Sequence, residues 1–277
     1  MTPTLVREHL AHAGSAPPRV NPRKRARDWS EIQERMLLPL HETVHERLEV
    51  GPGTRLLGLG CGSGLALLLA ASRGAAVTGV DSRPEHLALA RERLNPDGPL
   101  AARLVHADSP ADASDPEIPP YTLVTAYETV GALDDSDGPG DTLAAALPLA
   151  ARGAAVVLAG WGPPERCATS TVLRVAAKLA EPQRGWRPAR RDDLEEVARR
   201  AGLKPDGSGR VACPFGYADT DSAVRGLVST GLFDAAIAAT DRKQVGKELT
   251  ESLHPYRRPD GTVWMPNVFR YLVARVP

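Results

Sequence analysis

The residues whose types and spacing could do chemistry begin at Leu56. Leu56 to Gly64 reads LLGLGCGSG, a short apolar run followed by glycine at 60, 62 and 64 and then by helix-forming residues from Leu65 to Ala71. Alternate glycines let the main chain take left-handed conformations and let a ligand approach it without meeting a Cβ. The spacing excludes two phosphate-binding loops. A G-x-G-x-x-G fingerprint would need glycine five residues after Gly58 or Gly60, where Ser63 and Leu65 stand. A P-loop would need a Gly-Lys-Ser/Thr ending, and no lysine is near. Downstream, AVTGV at 76–80 runs into Asp81. A carboxylate at the tip of the second strand is where nucleotide-binding α/β proteins take up ribose hydroxyls, two acceptor oxygens matching two hydroxyls. The same residue can cap the helix expected from Pro84 to Leu94. Asp108-Ser109 follows a third strand and Tyr127-Glu128 a fourth.

A second motif has a metal-binding form. His41-Glu42-Thr43-Val44-His45 is a literal H-E-x-x-H, and two histidines one helical turn apart can share a zinc ion. A zinc enzyme of that type needs a third ligand downstream, and from Val50 to Val80 there is no Asp, Glu or His. The match reads as coincidence on a polar helix face, and no metal is expected.

Several elements must position these groups. Ser30 with Gln33 three residues on has the form of a capping box, and Ile32, Met36, Leu37, Leu40, Val44 and Leu48 recur at helical spacing, with Pro39 set to kink or divide the helix. Gly51-Pro52-Gly53 ends it before the first strand. Further strands are predicted at 76–80, 100–105, 121–126, 154–160 and 211–217, with a last one in the tail from Thr262. Helices are predicted at 84–94, 141–152, 171–179, 191–201, 221–240 and 243–253. Open α/β sheets collect ligands beyond the carboxyl ends of their strands. The first four strands would thus bring the glycine loop, Asp81, Asp108 and Tyr127-Glu128 to one edge.

Composition narrows the class. The 277 residues suit one α/β domain, and 34 basic against 34 acidic residues give no net field to draw a nucleic acid. Cys61, Cys167 and Cys213 have no pairing or metal spacing, which fits a reducing cytoplasm. No apolar run approaches the ~20 residues that span a bilayer, and Arg7, Glu8 and His9 stand where a signal peptide needs its apolar core. Residues 1–27, with Pro17, Pro18, Pro22 and the cluster Arg23, Lys24, Arg25, Arg27, read as a flexible basic arm. The richness in alanine, glycine, proline and arginine reads as the codon bias of a high-GC bacterial genome.

Taken together, Trp29 to Leu40, the loop G-C-G-S-G at 60–64, GVDSRPEHLALARERL through Leu94, WGPPERC from Trp161 and PDGTVWMPNVFRYLVAR at the end resemble the class I S-adenosylmethionine-dependent methyltransferases, in the broad ubiquinone/menaquinone-type group. The resemblance covers residues 28–277 as one domain. It implies an α/β fold with a seven-stranded, doubly wound Rossmann-like sheet and a helical cap: 28–50 a lid helix, 161–190 and 213–260 substrate-cap segments. It implies S-adenosylmethionine as cofactor and S-adenosylhomocysteine as product. Gly60, Cys61, Gly62 and Gly64 would line the methionyl and sulfonium end, Asp81 with Ser82 the ribose, and Asp108 with Ser109 the adenine. Tyr127 would complete the set, and Trp29 with Gln33 would form a lid. Glu128 or Tyr127 is the candidate base or orienting group, and His254 a second base. Trp161, Trp186, Phe215, Tyr217 and Trp264 are candidates for an apolar substrate wall. The expected substrate is a small specialised metabolite methylated on O, N or C. One departure stands out: the family places an acidic residue two positions before the first loop glycine, and here that position is Gly58. The alternative is therefore a methyltransferase-like fold that no longer methylates, serving as a cyclase or a non-catalytic partner.

Overall fold

The computed structural model describes residues 21–95, 102–127, 138–179 and 190–277. Chain order is α1 (Pro22–Asp28), a π-helical turn (Trp29–Gln33), a 3-10 turn (Glu34–Leu37), α2 (Leu38–Arg47), β1 (Arg55–Leu59), α3 (Leu65–Ala71), β2 (Ala76–Asp81), α4 (Pro84–Leu94), β3 (Ala102–His106), β4 (Tyr121–Ala126), α5 (Gly138–Ala146), β5 (Ala150–Trp161) and α6 (Thr169–Leu179). Then come α7 (Asp193–Arg200), β6 (Lys204–Ala212), β7 (Phe215–Tyr217), α8 (Thr220–Ser229), α9 (Asp234–Ala239), α10 (Arg242–Leu253), β8 (Val263–Met265) and β9 (Val268–Arg275).

Seven strands form one sheet in the order β3-β2-β1-β4-β5-β9-β6. The pairs from β3 to β5 are parallel, and β9 runs antiparallel between β5 and β6. Alternate residues of each strand enter two separate cores. Leu56, Val77, Leu123, Val157 and Val273 meet α2, α3, α6, α8 and α10 on one face. Leu57, Val80, Val124, Val156 and Leu272 meet α5 and α7 on the other. Burial on both faces explains why these strands read as continuous apolar runs. This is the doubly wound seven-stranded architecture expected, with β7 and β8 as a separate two-stranded antiparallel sheet. The segment 213–260 supplies α8, α9 and α10, which pack together with α6 as a helical layer.

Four local expectations change. Pro22 and Asn21 start a helix inside the basic segment: Asn21 Oδ1 accepts from the Lys24 N–H at 3.2 Å, Ala26 is buried, and Arg25 pairs with Asp234 at 2.8 Å. The flexible arm expected through residue 27 thus does not include 22–27, and 1–20 lie outside the described residues. Ser30 starts no helix; it lies within the π turn, and the tightening to 3-10 winding falls just before Pro39, whose missing N–H deprives the Arg35 carbonyl of its usual partner. The expected helix 221–240 is two, divided at Gly231 with φ +87°. The expected strand 211–217 is also two, and residues 204–210 extend the first. KPDGSGR is not legible as strand because its glycines and proline have low strand propensity; partnership with β9 overrides it.

Candidate active site at the carboxyl edge of the sheet

The glycine loop needs its glycines. Gly60, Gly62 and Gly64 have φ of +59°, +57° and +81°, the left-handed region that disfavours any Cβ. A Cβ on Gly62 would lie 3.1 Å from Glu34 Oε1 and 3.3 Å from Trp29 Nε1. The open side of the loop therefore faces the π and 3-10 turns that precede α2. Parallel register sets the loop between the ends of β2 and β4, since Leu59 pairs with both Val80 and Ala126.

Asp81 ends β2 with its carboxylate nearly fully buried, accepting the Gly62 N–H at 2.8 Å and the Arg83 N–H at 2.9 Å. Arg83 also forks onto both oxygens, Nε and Nη2 each at 2.9 Å. Burial works against ionisation here, but the Arg83 hydrogen bonds and charge, with the Gly62 N–H, outweigh it and hold the acid below the ordinary aspartate range. Asp81 thus locks the loop to the strand tip and also orders the turn into α4.

The other expected cofactor residues divide. Cys61 lies at the loop, its thiol pushed up to about 12 by burial and by the carboxylates of Asp81 and Glu34, so it stays a thiol at neutral pH. Ser82 is exposed at the β2 tip, its carbonyl 3.0 Å from His106 Nε2. Asp108 is exposed just past β3, and Ser109 Oγ accepts the Ala111 N–H at 3.3 Å, capping a short 3-10 turn. Trp29 stands over the loop, its indole stacked 6.3 Å from the His86 ring, and both Trp29 Nε1 and His86 Nδ1 are buried without a partner. Gln33 is turned away: it is buried and its Oε1 accepts from the Tyr217 hydroxyl at 2.9 Å, on the α8 side of the segment 29–37. Its neighbour Glu34 occupies the loop side instead.

Of the candidate bases, Glu128 lies outside the described residues. Tyr127 follows β4 beside the loop, its ring edge-on to His41 at 4.5 Å and its buried hydroxyl unpartnered. Burial pushes its pKa well above the ordinary phenol value, so it can orient a ligand as a donor but does not act as a base at neutral pH. His254 is exposed in a turn packed on α10 and β8. The apolar-wall candidates are largely core: Trp161, Phe215 and Tyr217 are buried and stack with one another and Phe269. Trp264 is exposed beneath Arg258, and Trp186 is outside the described residues.

His41 and His45 lie on the buried face of α2 with Leu40 and Val44, not on a polar one, while Glu42 is exposed. No group of three potential ligands could hold a metal among the described residues.

Sequence reasoning missed the polar cluster built on Glu34. Its Oε1 accepts the Ser63 N–H at 3.1 Å, and its Oε2 accepts from the Ser63 hydroxyl and from Arg93 Nη1 at 2.6 Å. Arg93 also donates to the Ser63 carbonyl and hydroxyl at 2.9 Å and to Ser30 Oγ at 2.9 Å. Ser30 and Glu34 are four residues apart, but their partners come from the glycine loop and α4, which no local pattern announces.

Gly58 has a packing cause. A Cβ there would lie 2.9 Å from Leu67 Cδ2, and one on Gly79 2.5 Å from Leu67 Cδ1. The two glycines make the slot that α3's Leu67 fills. Gly58→Ala is expected to destabilise the fold by about 1–3 kcal/mol through overpacking, read by urea denaturation.

Residues 56–147 match the model of a methyltransferase domain. Similar solved structures agree in fold. YjhP from E. coli is 18% identical with a TM-score of 0.53, covering 92% of this chain and 100% of its own. A SAM-dependent methyltransferase from Geobacter sulfurreducens, in complex with S-adenosyl-L-homocysteine, is 20% identical with a TM-score of 0.51, covering 88% and 92%. The [4+2]-cyclase SpnF is 18% identical with a TM-score of 0.52, covering 86% and 80%. No curated protein matches significantly. Among the described residues, no helix is long and apolar enough to cross a membrane.

Proposed function

We propose that the protein is an S-adenosylmethionine-dependent methyltransferase acting on a small molecule, with in-line transfer to O, N or C. The observation that carries this is the left-handed glycine loop bonded to the Asp81 carboxylate at the carboxyl edge of a methyltransferase-fold sheet. The residues present fit the cofactor. The buried Asp81 carboxylate and a buried, unpartnered donor (Trp29 Nε1) both lie at Gly62, where no Cβ intervenes, and a buried polar group left unpaired, as Trp29 Nε1 is, is rare unless something pairs with it. The cofactor supplies an electrophilic methyl group. The chain's own part is to hold the ribose at Asp81, to orient polar groups through the protonated Tyr127 hydroxyl, and to keep water from the loop with the residues before α2. Positioning of this kind can provide much of the rate.

The second reading, a fold that no longer methylates, rests on Gly58 and on the Arg83 fork that already occupies both Asp81 oxygens. Similarity to a cyclase of the same fold supports it. Calorimetry separates the two. Methyltransferase function predicts dissociation constants for S-adenosylmethionine and S-adenosylhomocysteine within the span of about 1 μM to 1 mM usual for enzyme ligands. No heat at millimolar ligand overturns it.

A further inference from the structure

We propose that Glu34 is a positioning residue that latches the segment 29–37 over the glycine loop, so that cofactor enters and leaves only when this carboxylate lets go. The proposal rests on the methyltransferase reading for the identity of the ligand, but not for the existence of the latch.

Four observations carry it. Glu34 and Trp29 cover the open side of Gly62, so a ligand reaching the loop main chain must pass beneath this segment. The carboxylate is the central tie between the segment and the loop, taking the Ser63 N–H, the Ser63 hydroxyl and the Arg93 guanidinium while buried to 6% side-chain exposure. The winding changes beneath it, from a π turn at Trp29–Gln33 to a 3-10 turn at Glu34–Leu37. Irregular winding of this kind often marks a functional hinge. The contact is also incomplete as it stands, since Trp29 Nε1 and His86 Nδ1 are buried and unpaired on its underside. A polar ligand beneath the closed segment would give at least the Trp29 N–H an acceptor. Closing and ligand retention are then one event, and Glu34 sets how long it lasts.

Glu34→Gln tests this, because the amide keeps the shape but loses the charge that pairs with Arg93 and one of the two oxygens that accept from Arg93, the Ser63 hydroxyl and the Ser63 N–H. Hydrogen exchange of amides 29–37 is expected to speed at least 10-fold, with β1 and β4 amides unchanged as a control on the fold. S-adenosylhomocysteine dissociation and association, followed by surface plasmon resonance, are both expected to speed, because entry and exit pass through the same open state. Ser30→Ala, which removes only a hydroxyl that bonds Arg93 and Ser63, is expected to give a smaller change of the same sign and serves if Glu34→Gln does not fold. Unchanged exchange at 29–37 overturns the latch. Faster exchange with unchanged dissociation overturns its role in ligand retention and leaves Glu34 merely structural. If wild-type protein binds no S-adenosylhomocysteine, the methyltransferase reading falls, and the exchange comparison alone decides the latch, faster exchange supporting it.

Discussion

Asp81→Asn is expected to weaken S-adenosylhomocysteine roughly 30- to 150-fold while leaving the fold intact. The carboxylate offers both oxygens as charged acceptors, and hydrogen bonds to charged groups contribute about 1.5–3 kcal/mol each. An amide keeps one acceptor and turns the other into a donor, so about 2–3 kcal/mol of binding is lost, which is the range of affinity stated. Two local bonds complicate the comparison. Gly62 and Arg83 donate to the same oxygens, and the amide would have to serve them with one oxygen where Asp81 has two. Arg83→Met separates the contributions, because it frees both oxygens on their solvent side without touching the loop. If Arg83 competes with the ribose, Arg83→Met binds the ligand more tightly than wild type; if it braces the carboxylate, binding weakens. Calorimetry on the two variants gives opposite signs in the first case and the same sign in the second. Since Asp81 is held below the ordinary aspartate range, it stays ionised throughout the pH range in which the fold persists, and ligand binding should lose nothing to its protonation there.

The parts of this site that can be read from the sequence are those determined by neighbours in the chain. The glycine loop and Asp81 are legible because a strand, a turn and a helix follow one another within a few residues, and β4 appears at Tyr121–Ala126 as its apolar run implies. The segment 29–37 is legible only as a helix. Its helical stripe of Ile32, Met36 and Leu40 is real, but the side of Gln33 and of Glu34 is decided by the change from π to 3-10 winding, which rotates successive residues by unequal amounts. Gln33, expected at the loop, lies against Tyr217; Glu34, which no local pattern singles out, lies on Ser63. Its partner Arg93 is 59 residues away in the chain. The same limit applies to Gly58, whose meaning depends on the α3 side chain that fills its place. H-E-x-x-H is the converse case. The spacing does put both histidines on one face, but the face is the core side, where burial rather than a ligand governs their chemistry.

That burial makes acid the agent expected to unfold this protein. His41 is lowered to about 3 by burial and then by the charge it would share with His45, and His45 is lowered to about 4 by burial and then by Arg73. In the unfolded chain both return to the reference value of 6.5. The sign follows from proton counting. Above pH 6.5 both states hold the rings neutral and pH has no effect through them. Below it the unfolded chain takes up two protons that the folded chain refuses until about pH 4, so stability falls as pH falls. Each proton contributes about 1.4 kcal/mol per pH unit, so the pair removes about 3 kcal/mol per unit between about pH 6 and 4. Over those two units that is about 6 kcal/mol, most of the margin of a domain at the low end of the roughly 5–15 kcal/mol usual range. His86, lowered to about 4 by burial and then by Arg83, steepens the slope further. Urea denaturation at intervals from about pH 7.5 to 4.5 measures it. His45→Leu should reduce the slope by one proton, and should raise stability at about pH 5 above wild type, because neither nitrogen of His45 has a partner to lose. A slope unaltered by His45→Leu would mean that this ring is already solvated or paired in the folded protein, and would contradict the burial described for α2.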